Sequence, residues 1–144
     1  MAASTDPGAT RGAPDRFGFT SGQVIQEFGY DDDVDLGLRD ALAAVTGTDL
    51  VDEDYDDVTD SAIVWWREED GDVADLADLL ITAMSALDDG GLVWVLVPKA
   101  GRPGHVTPAD IADAAQTAGL QPTTSIAAAP EWLGVRLAAR GRGR

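Results

Sequence analysis

The first third of the chain contains one short apolar segment followed by one amphipathic stretch. Segment 23–28 (QVIQEF) is rich in residues that favour strands, so we predict a first strand there. Further along, apolar residues recur at helical spacing and would share one face of a helix. They are Val34, Leu38, Leu42 and Val45. Asp33 is the predicted N-cap of this helix and Gly47 its end, and a short strand is predicted at Leu50 and Val51.

Two continuous apolar runs flank the clearest helical pattern. Segments 61–66 (SAIVWW) and 92–97 (LVWVLV) carry no charge, which is typical of strands that are covered on both faces. Between them, an apolar stripe predicts a helix over 73–87, which begins after Asp72 and ends before Gly90. The stripe consists of Val73, Leu76, Leu80, Met84 and Leu87.

The last third predicts one more helix and a pair of strands. Thr107 as N-cap and Pro108 at the first helical position indicate a helix over 108–118. Segments 121–128 and 132–138 follow as two strands, and such a terminal pair commonly forms an antiparallel edge.

The order of these elements predicts the fold class. Strands alternating with helices indicate an α/β protein, here an abridged Rossmann-like three-layer domain whose mainly parallel sheet has an antiparallel C-terminal edge. We expect a single domain over 17–139, a disordered leader over 1–16 and a flexible basic tail over 140–144. Adjacent Trp65 and Trp66 would point to opposite faces of the sheet and pack in the core.

Composition narrows the range of functions. The chain has 26 acidic and 10 basic residues among 144, a net charge of −16 that opposes general binding to nucleic acid or anionic lipid. No apolar run approaches the roughly 18 residues of a membrane span, and we expect a cytoplasmic protein. The absence of cysteine excludes disulfides, thiolate catalysis and cysteine-based zinc sites. We expect no cofactor and no metal.

From residue 61 onward the pattern resembles the C-terminal half of Rossmann-like, S-adenosylmethionine-dependent methyltransferases. The resemblance consists of the strand AIVWW, a helix ending in leucine, the segment DDGGLVWVLVP, a helix ending in AGL and a final strand pair. It implies a fold. The cofactor signature of that family is a glycine-rich turn, roughly G-x-G-x-G, after the first strand. The corresponding segment here is FGYDDDVD, which keeps Gly29 alone and carries carboxylates at 31–33.

The region 17–137 also resembles a family of small actinobacterial proteins termed domain of unknown function 3052. The blocks that carry this resemblance are GFTSGQVIQEFGYDDDVD, TGTDLVDEDYDDV, VWWREEDGD and GGLVWVLVPKAGRPGHV. The resemblance implies family membership and adds no activity.

Carboxylates concentrate in segment 31–60, which holds twelve acids and one base, Arg39. An EF-hand loop starting at Asp31 is excluded because its sixth and twelfth positions are leucines. Three interpretations stay open: solvated loops that cap helices, a looser divalent-cation site, or an acidic docking face for a basic protein partner. The candidate partner-binding residues are Asp31, Asp32, Asp33, Asp52, Asp54, Asp56 and Asp57.

Bases gather in the loop 98–107 (PKAGRPGHVT), between a predicted central strand and the helix that follows. Open α/β sheets bind ligands at this edge, and a helix N-terminus favours anions. The candidate ligand-binding residues are Arg67, Lys99, Arg102 and His105. Either they hold a phosphate or carboxylate, or they neutralise the acidic loops; the nearby excess of negative charge favours neutralisation.

Two classes of function remain. The leading hypothesis is a non-catalytic regulatory or protein-interaction domain that uses its acidic edge, because the glycine-rich cofactor turn is missing and the acidic residues are clustered. The sequence also contains no G-x-S-x-G elbow, no P-loop and no H-E-x-x-H motif. The alternative is a divergent enzyme, or an anion or small-ligand binder, with a methyltransferase-like fold.

Overall fold

A computed structural model describes residues 17–139, apart from the side chains of residues 88–90. The predicted leader over 1–16 and the predicted tail over 140–144 lie outside the described residues. The elements are β1 (Ile25–Phe28), α1 (Leu36–Thr46), β2 (Thr59–Trp65), α2 (Val73–Ser85), β3 (Leu87–Pro98), α3 (Pro108–Thr117), β4 (Leu120–Ala129) and β5 (Trp132–Ala139).

The five strands form one mixed sheet in the order β1-β2-β3-β5-β4. Strands β1, β2 and β3 run parallel, whereas β5 pairs antiparallel with both β3 and β4. The predicted α/β class and the antiparallel C-terminal edge are therefore confirmed. The strand predicted at Leu50 and Val51 is reduced to a single parallel bridge between Val51 and Gln26 at the outer edge of β1.

Helices cover both faces of the sheet, which gives the predicted three layers. On one face, α2 and α3 place Leu76, Leu80 and Ile111 against the apolar side chains of β2 and β3. On the other face, α1 packs together with the N-terminal segment around Phe17, which is fully buried. The indole N–H of Trp94 donates to the carbonyl of Phe17 at 3.0 Å and so satisfies a polar group within this apolar layer.

The tryptophans are core residues, as predicted. Trp66 belongs to the cluster under α2 and α3, and Trp65 belongs to the opposite cluster together with Trp94. This division follows from the alternation of side chains along β2.

Two helix boundaries differ from the prediction. Asp35, rather than Asp33, caps α1, because its carboxylate accepts from the amide of Leu38 at 2.8 Å. The second helix ends at Ser85, before Leu87, because Leu87 pairs with Thr59 as the first residue of β3. The predictions for the other helix termini are confirmed: Gly47 closes α1 in the left-handed conformation, Asp72 caps α2, and Thr107 caps α3 with Pro108 in its first turn.

No helix within residues 17–139 is long and apolar enough to cross a membrane.

Candidate functional site at the carboxyl ends of the parallel strands

Loops from three neighbouring strands meet at one edge of the sheet. The parallel strands β1, β2 and β3 all end there, and they continue into loops 29–35, 66–72 and 99–107. A fourth segment, which follows the bridge at Val51, reaches the same edge, since the carboxylate of Glu53 accepts from the amide of Gly29 at 2.8 Å. Ligands of open α/β sheets bind in this position.

Arg67 ties these loops together. Its side chain is 6% exposed, and its Nη1 donates to the carbonyl of Gly29 at 2.7 Å and to that of Trp65 at 3.3 Å. Nε and Nη2 form a two-pronged pair with the carboxylate of Asp33, and Nη1 also contacts Asp70 at 3.2 Å. The guanidinium lies over the ring of Trp132, 5.4 Å from its centre.

The candidate ligand residue Arg67 is therefore committed to groups of the chain itself. Its backbone borders the basic loop, because Glu68 donates its amide to the carbonyl of Gly104 at 2.9 Å. Its guanidinium, however, contacts Gly29 and Asp33 on the side of β1. Burial opposes ionisation of Arg67, but the hydrogen bonds to Asp33 and Asp70 outweigh it and raise its pKa above the ordinary value.

Asp33 is held by the same contact. The hydrogen bond from Arg67 lowers the pKa of Asp33 below its ordinary value, against a smaller opposing effect of burial. The side chain of Asp33 remains half exposed. Three of the predicted partner-binding carboxylates lie on this loop. The charge of Asp33 is already neutralised by Arg67, and Asp31 and Asp32 remain exposed to a partner.

The Asp33–Arg67 pair predicts an acid-dependent loss of stability. Since the pKa of Asp33 is lower in the folded state than in the unfolded state, its contribution is present above the unfolded value, about 4, and is lost as the pH falls through the folded value. Urea unfolding midpoints measured at successive pH values should therefore fall less steeply in Asp33→Asn than in the wild type on the acid side. If the urea midpoints of the wild type and of Asp33→Asn fell equally steeply with decreasing pH, the pair would contribute nothing to stability.

A second buried ion pair lies beside β1. Glu27, 5% exposed, accepts from the indole N–H of Trp65 at 2.8 Å and from Nε and Nη2 of Arg39 at 2.7 and 2.9 Å. This hydrogen bonding raises the pKa of Arg39, whose guanidinium also lies 4.8 Å from the centre of the Tyr30 ring. Our sequence analysis missed this cluster. Its signal is a carboxylate inside an apolar strand, together with the one base of segment 31–60.

An open groove of about 450 Å³ runs along this edge. Its lining residues are Glu27, Tyr30, Arg39, Asp52, Glu53 and Asp54. In the groove, the carboxylates that follow Val51 lie next to the loop that follows β1. An acidic docking face formed by both segments needs this arrangement. Asp31, Asp32, Asp52 and Asp54 are all exposed there.

The remaining two partner candidates lie elsewhere. Asp56 and Asp57 lie three and two residues before Thr59, the first residue of β2, and the amide of Asp60 donates to the carbonyl of Val24, just before β1. They are therefore at the amino ends of the strands, across the sheet from Asp31. The structure divides the predicted acidic cluster between two edges.

The basic loop does not form a convergent cluster of cations. Arg102 pairs with Glu131 at 2.8 Å on the exposed surface, and Nδ1 of His105 donates to the carbonyl of Pro98 at 2.8 Å. Half-buried Lys99 donates its amide to the carbonyl of Glu131.

A small cavity of about 80 Å³ adjoins His105, between the first turns of α2 and α3. Its lining includes the side chains of Glu68, Asp72 and Asp110. Their negative charge opposes the anion that the sequence analysis considered for this loop. Within residues 17–139, no group of three or more acidic or histidine side chains is arranged to hold a metal ion.

Comparison with solved structures identifies the fold. The structure superimposes on NcsB1, an O-methyltransferase from neocarzinostatin biosynthesis solved in complex with S-adenosylmethionine, with a TM-score of 0.63 and 15% identity over 82% of this chain and 49% of that one. It superimposes on the mitomycin 7-O-methyltransferase MmcR with a TM-score of 0.62 and 13% identity over 91% of this chain and 54% of that one.

These neighbours confirm the methyltransferase-like fold that the sequence pattern predicted. A shorter neighbour, the magnesium protoporphyrin IX methyltransferase of Synechocystis, has a TM-score of 0.55 and 10% identity over 93% of this chain and 77% of its own. The chain spans about half the length of NcsB1 and MmcR. At these identities the likeness concerns the fold alone.

Sequence comparison identifies the family. Uncharacterized proteins of Mycobacterium tuberculosis and Mycobacterium bovis are 45% identical to the chain over 131 residues, which is 86% of this chain and 81% of each relative. The family model described as "Protein of unknown function (DUF3052)" matches residues 14–141. The chain therefore belongs to the DUF3052 family.

Proposed function

We propose that this protein is a non-catalytic interaction domain that binds a basic, cytoplasmic partner protein through the acidic edge at the carboxyl ends of β1 and β2. The edge consists of the exposed residues Asp31, Asp32, Asp52, Glu53 and Asp54, and we refer to it as the acidic edge.

The observation that carries the proposal is the uncompensated charge of this edge. Arg39 and Arg67, the two guanidiniums that lie there, are already paired with Glu27 and Asp33. The five exposed carboxylates therefore leave a negative surface, which attracts a positively charged partner and accelerates its association.

Two apolar side chains on the same loop add contact area. Tyr30 is 54% exposed and Leu36, at the start of α1, is 57% exposed. Tyrosine is frequent among the residues that dominate binding energy at interfaces, and a charged rim around an aromatic contact is a common arrangement. These two residues give a partner apolar contacts in addition to the charge of the acidic edge.

The test uses asparagine substitutions, which retain the hydrogen-bonding side-chain oxygen and remove the charge. The quadruple variant Asp31→Asn/Asp32→Asn/Asp52→Asn/Asp54→Asn neutralises the acidic edge. At positions 31 and 52, asparagine keeps the side-chain oxygen that accepts a hydrogen bond from a nearby backbone amide. The control, Asp56→Asn/Asp57→Asn, removes charge at the opposite edge of the sheet.

Partners are purified from extracts of the source organism with the full chain as bait, and the affinity of each recovered partner is then measured at low and at physiological salt. We expect the quadruple variant to bind at least about tenfold more weakly, with a reduced dependence on salt, and the control to stay within about twofold. Equal affinities of the wild type and the quadruple variant would contradict the proposal.

A further inference from the structure

We infer that the turn after β1 is occupied by side chains of the chain itself and does not accept S-adenosylmethionine, although the fold is that of methyltransferases which bind it. The inference goes beyond the docking proposal and does not depend on it.

Two amides of the turn are already hydrogen-bonded. In α/β folds, a glycine-rich first turn binds its ligand through free backbone N–H groups that the ligand can approach closely. Here the N–H of Gly29 donates to the carboxylate of Glu53 at 2.8 Å, and the N–H of Asp32 donates to the side chain of Asp31 at 2.7 Å. A ligand at this turn would have to displace carboxylates that hold these amides by charge-assisted bonds.

The carbonyl side of the turn is equally committed. Arg67 binds the carbonyl of Gly29, and Asp33 holds the other end of the same guanidinium. Moving the loop to admit a ligand would break contacts of a buried cation, and such contacts are costly to leave unmade.

The one remaining glycine has a structural reason to be there. A Cβ on Gly29 would lie 2.2 Å from the carbonyl oxygen of Trp65, so the turn is pressed against the backbone of β2. Gly29 therefore serves the approach of two strands, and its presence does not indicate a ligand.

The buried acid of β1 is also neutralised from within. The carboxylate of Glu27 accepts hydrogen bonds from Arg39 and from the indole N–H of Trp65. Arg39 in turn covers Tyr30. The groups of the turn named above are thus held within the chain, and we infer that S-adenosylmethionine does not bind through them, although an open groove lies beside the turn.

The first arm of the test measures binding of S-adenosylmethionine to the full chain by calorimetry and by thermal shift. With ligand at about 1 mM, we expect no saturable heat and no rise in the unfolding temperature, whereas a ligand at 100 times its Kd would raise that temperature by several degrees. A saturable S-adenosylmethionine isotherm would overturn the inference.

The second arm reads the occupied amide directly by NMR. In Glu53→Gln, the amide proton of Gly29 should shift upfield from its wild-type position, because a neutral amide oxygen is a weaker acceptor than a carboxylate, while the rest of the spectrum is retained. The amide of Gly47, which donates to the carbonyl of Ala43 at 2.8 Å, is the matched control and should behave alike in both proteins. An unchanged Gly29 amide shift in Glu53→Gln would also overturn the inference.

The two arms are separate from the docking test. Loss of the docking proposal would leave both the calorimetric and the NMR results as expected here, and a partner that binds the acidic edge would leave the absence of S-adenosylmethionine binding unaltered.

Discussion

Replacement of Arg67 by methionine is expected to lower the free energy of unfolding by about 2–4 kcal/mol, because the carbonyls of Gly29 and Trp65 lose a buried donor and an unsatisfied buried acceptor costs about 1–3 kcal/mol. The carboxylates of Asp33 and Asp70 are partly exposed and contribute less. The guanidinium of Arg67 holds the carbonyls of Gly29 and Trp65 and the carboxylates of Asp33 and Asp70. Methionine fills much of the same volume but donates no hydrogen bond.

Lysine is not expected to rescue the site. An ammonium group lacks the planar fork with which Arg67 binds both oxygens of Asp33 while also reaching the carbonyls of two strand ends. Arg67→Lys should therefore retain the charge but lose most of the free energy of unfolding that the contacts of Arg67 provide. This variant separates the effect of hydrogen-bond geometry from the effect of charge.

Urea unfolding followed by tryptophan fluorescence measures these losses. The matched control is Arg102→Met, since Arg102 also pairs with a carboxylate, that of Glu131, but both partners are exposed. Exposed pairs contribute about 0–1 kcal/mol, so this variant should unfold close to the wild type. Similar midpoints for Arg67→Met and Arg102→Met would show that the buried contacts of Arg67 are not important for stability.

The central strands and the start of the last helix were predictable because their determinants are local. The uncharged runs at 61–66 and 92–97 can be buried on both faces only in the centre of a sheet, where β2 and β3 lie. Thr107 followed by Pro108 indicates a helix start through its own hydrogen bond and fixed backbone angle. Neither feature requires a partner distant in sequence.

The candidate site was predictable only in outline. Sequence placed Arg67 and Asp33 at the same edge, but their pairing joins positions 34 residues apart. Asp31, Asp33 and Asp35 all have the residue type of an N-cap; in the structure Asp35 caps α1, whereas Asp33 pairs with Arg67. Side-chain direction after a strand is set by tertiary contacts, which spacing does not encode.

The contacts of Arg67 also connect stability with the proposed function. The loop that carries Asp31, Asp32 and Tyr30 is fixed at one end by Gly29 and at the other by Asp33, and both bind Arg67. A loop held in one conformation loses little entropy when a partner binds. We therefore expect Arg67 to order the acidic edge without itself contacting the partner.

Gly29→Ala is the second substitution expected to have a large effect. Gly29 has a φ of 77°, and the left-handed conformation costs a residue with a Cβ about 1–2 kcal/mol. In addition, the new Cβ would lie 2.2 Å from the carbonyl oxygen of Trp65, and this oxygen belongs to the backbone of a central strand. Relief of the overlap would require β1 and β2 to separate at the point where their loops begin. We expect a total loss of about 3–5 kcal/mol, in the range of severe single substitutions.

Gly47→Ala isolates the conformational part of this loss. Gly47 has a φ of 83°, and a Cβ built there meets nothing within 4 Å. Its variant should therefore lose only about 1–2 kcal/mol, the cost of the backbone conformation. The difference between the two urea midpoints then measures the close approach of Gly29 to β2. Equal losses in the two variants would mean that the turn can move away from Trp65, and in that case a ligand could also open it.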